Sequence, residues 1–154
     1  MCTDIDVAVT NEMMARGTEW WRCWKVYGYQ RTTWARAPRE RLVARFYPDS
    51  KGGTVKMPGW VGAEDAETPW ADRKGSERRC GGAVRRAIHT YRSRAIAAEE
   101  AEDEGGLVVP VLGSRGDLIG ANGEEAAFRR VAITTAAWAR AMRQGRKLLR
   151  RERG

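Results

Sequence analysis

At 154 residues, 42% hydrophobic and 31% charged, the chain has the length of one domain (1–154) and enough apolar side chains for a core, which excludes disorder throughout. No run approaches the roughly 18–20 uninterrupted apolar residues of a membrane span, and the opening Met1-Cys2-Thr3-Asp4-Ile5-Asp6 has acids where a secretory leader needs bases. A cytoplasmic protein with no membrane partner is expected, and its net charge of +8 points it toward polyanions.

Residues 1–19 carry one base and four acids, a segment read as mobile. Residues 20–94 carry 17 bases against seven acids, 95–125 one base against eight acids, and 134–154 seven bases against one acid. Two basic blocks therefore flank an acidic one around Glu99-Glu100-Ala101-Glu102-Asp103-Glu104. Either the chain neutralises itself or it shows a basic and an acidic face; both stay open.

The alternation in Trp20-Trp21-Arg22-Cys23-Trp24-Lys25-Val26-Tyr27 predicts a strand, with Gly28 turning the chain. A second strand is expected over 41–47, and Thr54-Val55-Lys56-Met57 is placed to pair back as a hairpin. Residues 58–82, with Pro58, Gly59, Gly62, Pro69, Gly75, Gly81 and Gly82, read as a long irregular loop anchored by Trp60 and Trp70. Residues 83–89 fit strand or helix.

Ser93 is placed to cap a short Ala/Glu-rich helix over 94–103, ended by Gly105-Gly106. Leu107-Val108-Val109-Pro110-Val111-Leu112 is a buried-strand pattern that Pro110 pushes toward an edge or a bulge. A glycine-rich turn leads into a closing strand over 125–133. The last element, 135–151, is an amphipathic helix with Trp138, Met142, Gly145 and Leu149 on one stripe and bases mostly off it. Gly145 weakens its distal half by about 1 kcal/mol relative to Ala. The predicted class is α+β: a small, mostly antiparallel sheet, one short helix and a basic C-terminal helix.

Cys2, Cys23 and Cys80 are odd in number and lack paired spacing, so neither a disulfide framework nor a structural zinc site is indicated. A mixed site of Cys23, Cys80 and His89 remains an alternative to plain thiols, and no cofactor is implied. The glycines at 113, 116, 120 and 123 match no phosphate-binding fingerprint, and Glu124 and Glu125 would repel a phosphate there. Arg115-Gly116-Asp117 is read as a chance tripeptide. His89 with Tyr91 forms a candidate acid/base or nucleotide-clamping pair, with Glu64, Asp65, Glu67 or Asp72 as carboxylate partner; a structural histidine is the alternative.

Basic surfaces carry the main expectation. Arg31, Arg36, Arg39, Arg140, Arg143, Arg146, Lys147, Arg150 and Arg151 are the candidate contacts to nucleic acid or a partner. Trp20 and Trp34 are candidates for stacking on unpaired bases, against the alternative that they belong to the core. The helical stripe around Trp138 could instead dock into a partner's groove or make an oligomer.

Trp24-Lys25-Val26-Tyr27, Ala87-Ile88-His89-Thr90-Tyr91, Val108-Val109-Pro110-Val111, Asp117-Leu118-Ile119-Gly120-Ala121 and Phe128-Arg129-Arg130-Val131 together resemble small accessory domains of phages and actinobacteria. The resemblance covers residues 24–133, with Ala87 where those domains have Gly. It implies an accessory protein of a mobile element, without assigned chemistry; the two basic blocks and the lack of a catalytic set add the expectation of a non-catalytic accessory or inhibitor protein that binds nucleic acid or a nucleic-acid-handling protein complex of a host.

Overall fold

The computed structural model describes residues 2–32, 39–44 and 54–153. The chain begins with strand β1 (Thr3–Asp4), helix α1 (Val7–Ala15), the long strand β2 (Trp20–Thr32) and strand β3 (Arg39–Ala44). Strands β4 (Thr54–Val55) and β5 (Gly59–Gly62) follow, then a 3-10 turn (Trp70–Asp72), helix α2 (Gly75–Cys80) and strands β6 (Ala83–Val84) and β7 (Ile88–Tyr91). Helix α3 (Arg94–Glu104), strand β8 (Leu107–Ser114), a second 3-10 turn (Arg115–Asp117), strands β9 (Leu118–Ala121), β10 (Glu125–Phe128) and β11 (Arg130–Ile133), and helix α4 (Thr135–Arg153) complete it.

Among the described residues, nine strands form one antiparallel sheet. Its neighbours run β5, β11, β8, β2, β7, β10, β9, with β3 on β2 and β4 on β3, while β1 and β6 pair separately. The fold is α+β. β10 and β11 are two halves of one strand broken at Arg129, whose N–H donates to the Asp117 carbonyl at 2.8 Å. The first half pairs with β7 and β9 and the second with β8 and β5, so the sheet curls back on itself. Phe128 consequently reaches the inner face of β8, where a Cβ on Gly113 would lie 2.3 Å from its ring.

Strand periodicity separates the two faces of the β2–β8 wall. Cys23, Tyr27, Val109 and Val111 point into the main core with Ile88, Leu118, Phe128, Val131 and Ile133. Trp24, Val26 and Val108 point the other way, onto Ile96, Ala97 and Ala101 of α3. Helix α4 closes the core side: Ala141 and Met142 are buried, and Ala137, Trp138 and Leu148 pack against the cluster. The acidic and basic helices therefore sit on opposite sides of one wall.

Several local expectations are corrected. The turn predicted at Gly28 does not form, because Val43 of β3 pairs opposite it and the strand runs on to Thr32. The 58–82 region holds a strand, a 3-10 turn and a short helix. Trp70 does anchor it, buried with its indole N–H donating to Asn11 at 3.0 Å, but Trp60 is exposed. Residues 1–19 carry β1 and α1, with Thr3, Thr10 and Met13 buried. Residues 83–89 hold β6 and the start of β7 with three non-strand residues between them, not a helix, and the glycine-rich turn before 123 contains β9. Pro110 lies where β8 is paired only with β2, since β11 reaches only Leu112 and Gly113; a residue without an amide hydrogen is tolerated there.

Ser93 occupies the N-cap position of α3 without a side-chain capping bond, whereas Thr134 caps α4 by accepting from the Ala137 N–H at 3.1 Å. Gly145 is a packing requirement: its position is buried, and a Cβ there would lie 2.3 Å from the Tyr29 ring. Gly145→Ala is expected to lower stability by about 1 kcal/mol in urea denaturation. Overpacking of roughly 1–3 kcal/mol outweighs the gain of about 1 kcal/mol in helix propensity.

Candidate nucleic-acid interface

Beyond the end of α3, the outer face of the wall is open. Arg22 of β2 pairs with Leu112 of β8, Leu112 with Ala132 of β11, and Ala132 with Trp60 of β5. Cross-strand partners share a face, so these four side chains form one row. Trp20, two residues before Arg22, lies on the same face, its ring centroid 5.6 Å from that of Trp60 with the planes tilted by 36°. Both rings are open to solvent, Trp20 at 44% and Trp60 at 51% exposure. The Arg130 guanidinium lies over Trp60, 4.1 Å from the ring centroid, within cation–π range.

Asp117 fixes this arrangement. Its side chain is 2% exposed; one carboxylate oxygen accepts from Arg129 Nε at 3.1 Å and Nη2 at 2.8 Å. The other accepts from Arg130 Nε at 3.1 Å and from the Ser114 hydroxyl at 2.8 Å. Burial pushes the Asp117 carboxyl up, but the hydrogen bonds from Ser114, Arg129 and Arg130 outweigh it and hold the group below its usual value. Arg130 is thus held by its Nε while its guanidinium face covers Trp60. On its other side Trp20 borders a groove of about 440 Å³ lined also by Met14, Glu19, Ala71, Ser114 and Arg115.

The residues predicted from sequence divide. Trp20 belongs to this face, whereas Trp34 and Arg36 lie outside the described residues. Arg31 and Arg39 are exposed near the end of the β2–β3 hairpin. Arg31 pairs opposite Glu40, and Arg39 opposite Thr32, so the two arginines point to opposite faces. Arg140, Arg143, Arg146, Lys147, Arg150 and Arg151 are exposed on α4, on the other side of the wall from Trp20. Arg146 is tied down: its Nε donates to Glu40 at 2.8 Å, its Nη2 also bonds that carboxylate, and the Tyr29 hydroxyl donates to it at 2.6 Å. The Arg146 hydrogen bond is the main reason the Glu40 carboxyl sits below its usual value. The stripe proposed for partner docking is committed to this chain's own core at Trp138 and Met142.

His89 is fixed by hydrogen bonds at both ring nitrogens. Its Nε2 donates to the Arg85 carbonyl at 2.8 Å, which leaves Nδ1 to accept from the buried Thr3 hydroxyl at 2.8 Å. Burial is the main reason its pKa lies below the usual imidazole value. Glu67 accepts from the backbone N–H groups of Arg85 and Arg86 at 2.6 and 2.9 Å. Among the described residues no group of three or more His, Cys, Asp or Glu could hold a metal ion, and no helix is long and apolar enough to cross a membrane.

Trp60, Asp117 and Arg130 were beyond reach from sequence alone. Trp60 sits between Gly59 and Gly62, which reads as loop until β11 pairs with it. Asp117 matters only because the chain from Phe128 to Arg130 passes over it. Comparison adds no relative: no protein-family model, no curated protein and no solved structure matches this chain.

Proposed function

We propose that this protein is a non-catalytic binder of single-stranded nucleic acid, with unpaired bases on Trp20 and Trp60 and phosphates on Arg22 and Arg130. The observation that carries this reading is the pair of solvent-exposed tryptophans side by side on an open sheet face, one of them under a guanidinium. Stacking of a base on an aromatic side chain contributes about 1–3 kcal/mol and tolerates any base, since each has a π face. The arginines add a counterion-release contribution that fades with salt. Asp117 holds Arg130 in place before binding, which reduces the ordering cost of association. An accessory or inhibitor role of the phage type belongs to the same proposal and rests on the sequence pattern.

The test is a tryptophan-fluorescence titration with a short oligothymidylate at low salt, repeated as salt is raised. Quenching is expected, with the affinity falling as salt rises by a slope of about −0.7 per phosphate contacted. Trp60→Ala is expected to weaken binding about tenfold. Absence of binding at low salt would overturn the reading.

A further inference from the structure

The basic helix α4 and the tryptophan face are separated by the β2–β8 wall. From this separation we infer that the protein holds two segments of nucleic acid at once: unpaired bases on the tryptophan face, and the phosphates of a duplex along α4. The inference rests on the reading above and adds a second site to it.

Arg140, Arg143, Lys147 and Arg150 follow one another at intervals of three and four residues, which places them on one helical face. They span about 15 Å of helix at 1.5 Å per residue. All four are exposed. None of the four forms an ion pair among the described residues, so this ridge has no internal counterion there. Among the described residues no acid of α3 forms an ion pair with it, α3 packing on Trp24, Val26 and Val108, the outward residues of the wall, and α4 on the inward ones. At the end of the ridge, Lys147 and Arg151 line a groove of about 360 Å³ together with Arg94, and among the described residues no carboxylate lines it.

The ridge has bases and no exposed aromatic ring among them, since Trp138 is turned into the core. It suits phosphates and not unpaired bases, while the tryptophan face suits unpaired bases. A helix with a cationic ridge fits the backbone and major groove of a duplex. The two ligands therefore differ in kind, and the wall between them keeps them from competing.

The experiment is a co-capture. Biotinylated oligothymidylate is immobilised, the protein is added at low salt, and a fluorescent blunt-ended duplex is offered. Retention of the duplex only when protein is present is expected. Arg143→Glu/Arg150→Glu should reduce that retention by about tenfold or more while leaving oligothymidylate quenching within about twofold, which also reports that the variant is folded. Trp20→Ala/Trp60→Ala should abolish capture on oligothymidylate yet still bind duplex directly.

Three results would overturn the proposal: duplex displacing oligothymidylate from the protein, undiminished duplex capture by the charge-reversed variant, or capture of a second labelled oligothymidylate in place of duplex. The last is what a dimer using one face twice would do. Loss of quenching in the wild-type protein would instead remove the single-strand reading itself, so the two failures are distinguishable.

Discussion

Asp117→Ala is expected to lower folding stability by about 3 kcal/mol and to weaken oligothymidylate binding together with it. Removing one partner of a buried ion pair typically costs roughly 3–5 kcal/mol, because the remaining charges are left uncompensated. Here the carboxylate is buried but Arg129 and Arg130 are about half exposed, at 50% and 48% of their side-chain surface. Water can solvate them once Asp117 is gone, which puts the loss at the low end of that range. Urea denaturation measures it, and an unchanged midpoint would contradict the anchoring role.

The pH dependence follows from the direction of the carboxyl's shift. A carboxylate held below its usual pKa in the folded chain stabilises the fold above the unfolded pKa, and that contribution is lost as pH falls through the folded one. The gap between wild type and Asp117→Ala should therefore narrow only in acid, below about pH 4. Asp117→Asn keeps the shape and removes the charge, so its stability should fall between the two. If Trp60 is stacked by Arg130 only because Asp117 fixes the guanidinium, both variants should also lose affinity at a temperature where they remain folded.

How far the sequence carried these conclusions depended on the range of the interaction. Periodicity and caps are local, so β8, α3 and α4 were legible near their actual bounds and β2 at its start, while its run past Gly28 to Thr32 depends on β3 pairing alongside. The alternation at Trp20–Val26 is a property of neighbouring residues, and Gly105 ends α3 wherever the helix is docked. What pairs across the chain was not legible. Gly59–Gly62 has too few apolar residues to declare itself a strand, and becomes one because β11 offers it a partner. Gly145 read as a weak point in a helix, whereas its meaning comes from Tyr29, more than a hundred residues away.

The candidate site shows the same division. Trp20 stood out by its place in an aromatic run, but its neighbour Trp60 comes from the edge strand β5, three strands away, and their juxtaposition requires the whole order β2, β8, β11, β5. The arginines were visible as charge without geometry. Arg146 illustrates the limit: on sequence it is one of six bases on α4, and in the fold it closes an ion pair with Glu40. Residue type fixes what a side chain can bind, while topology decides whether that capacity is already used.

Lys25→Met is expected to change the sign of its effect with pH, more stable than wild type near pH 7 and less stable above about pH 10. Lys25 lies on the inward face of β2 between Cys23 and Tyr27, both buried, opposite Val109 of β8. The strands β2 and β7 pair only at Trp24 and Tyr91 before they part, and beyond that point the Lys25 amine donates to the His89 carbonyl at 3.0 Å. It also lies 5.6 Å from the Tyr27 ring centroid, and among the described residues no carboxylate forms an ion pair with it. Burial lowers its pKa from 10.5 to about 8.

That lowering corresponds to roughly 3 kcal/mol against the charged form, discounted to about 2 kcal/mol because the side chain is partly exposed. Below pH 8 the folded chain bears this penalty in full. Between about pH 8 and 10.5 the unfolded chain binds more protons than the folded one, so wild-type stability gains with rising pH. Met fills the space without a charge but leaves the His89 carbonyl without its donor, a loss of about 1 kcal/mol. The variant should therefore lead by about 1 kcal/mol at neutral pH and trail by a similar amount once the wild-type amine is neutral in both states. Burial raises the pKa of the Cys23 thiol and of the Tyr27, Tyr29 and Tyr91 hydroxyls in the folded chain, a contribution largely common to both proteins, so the difference between the two denaturation curves isolates Lys25. A difference that stays constant from pH 7 to pH 10 would mean that the amine is solvated in the folded chain and that the gap between β2 and β7 is filled by water instead.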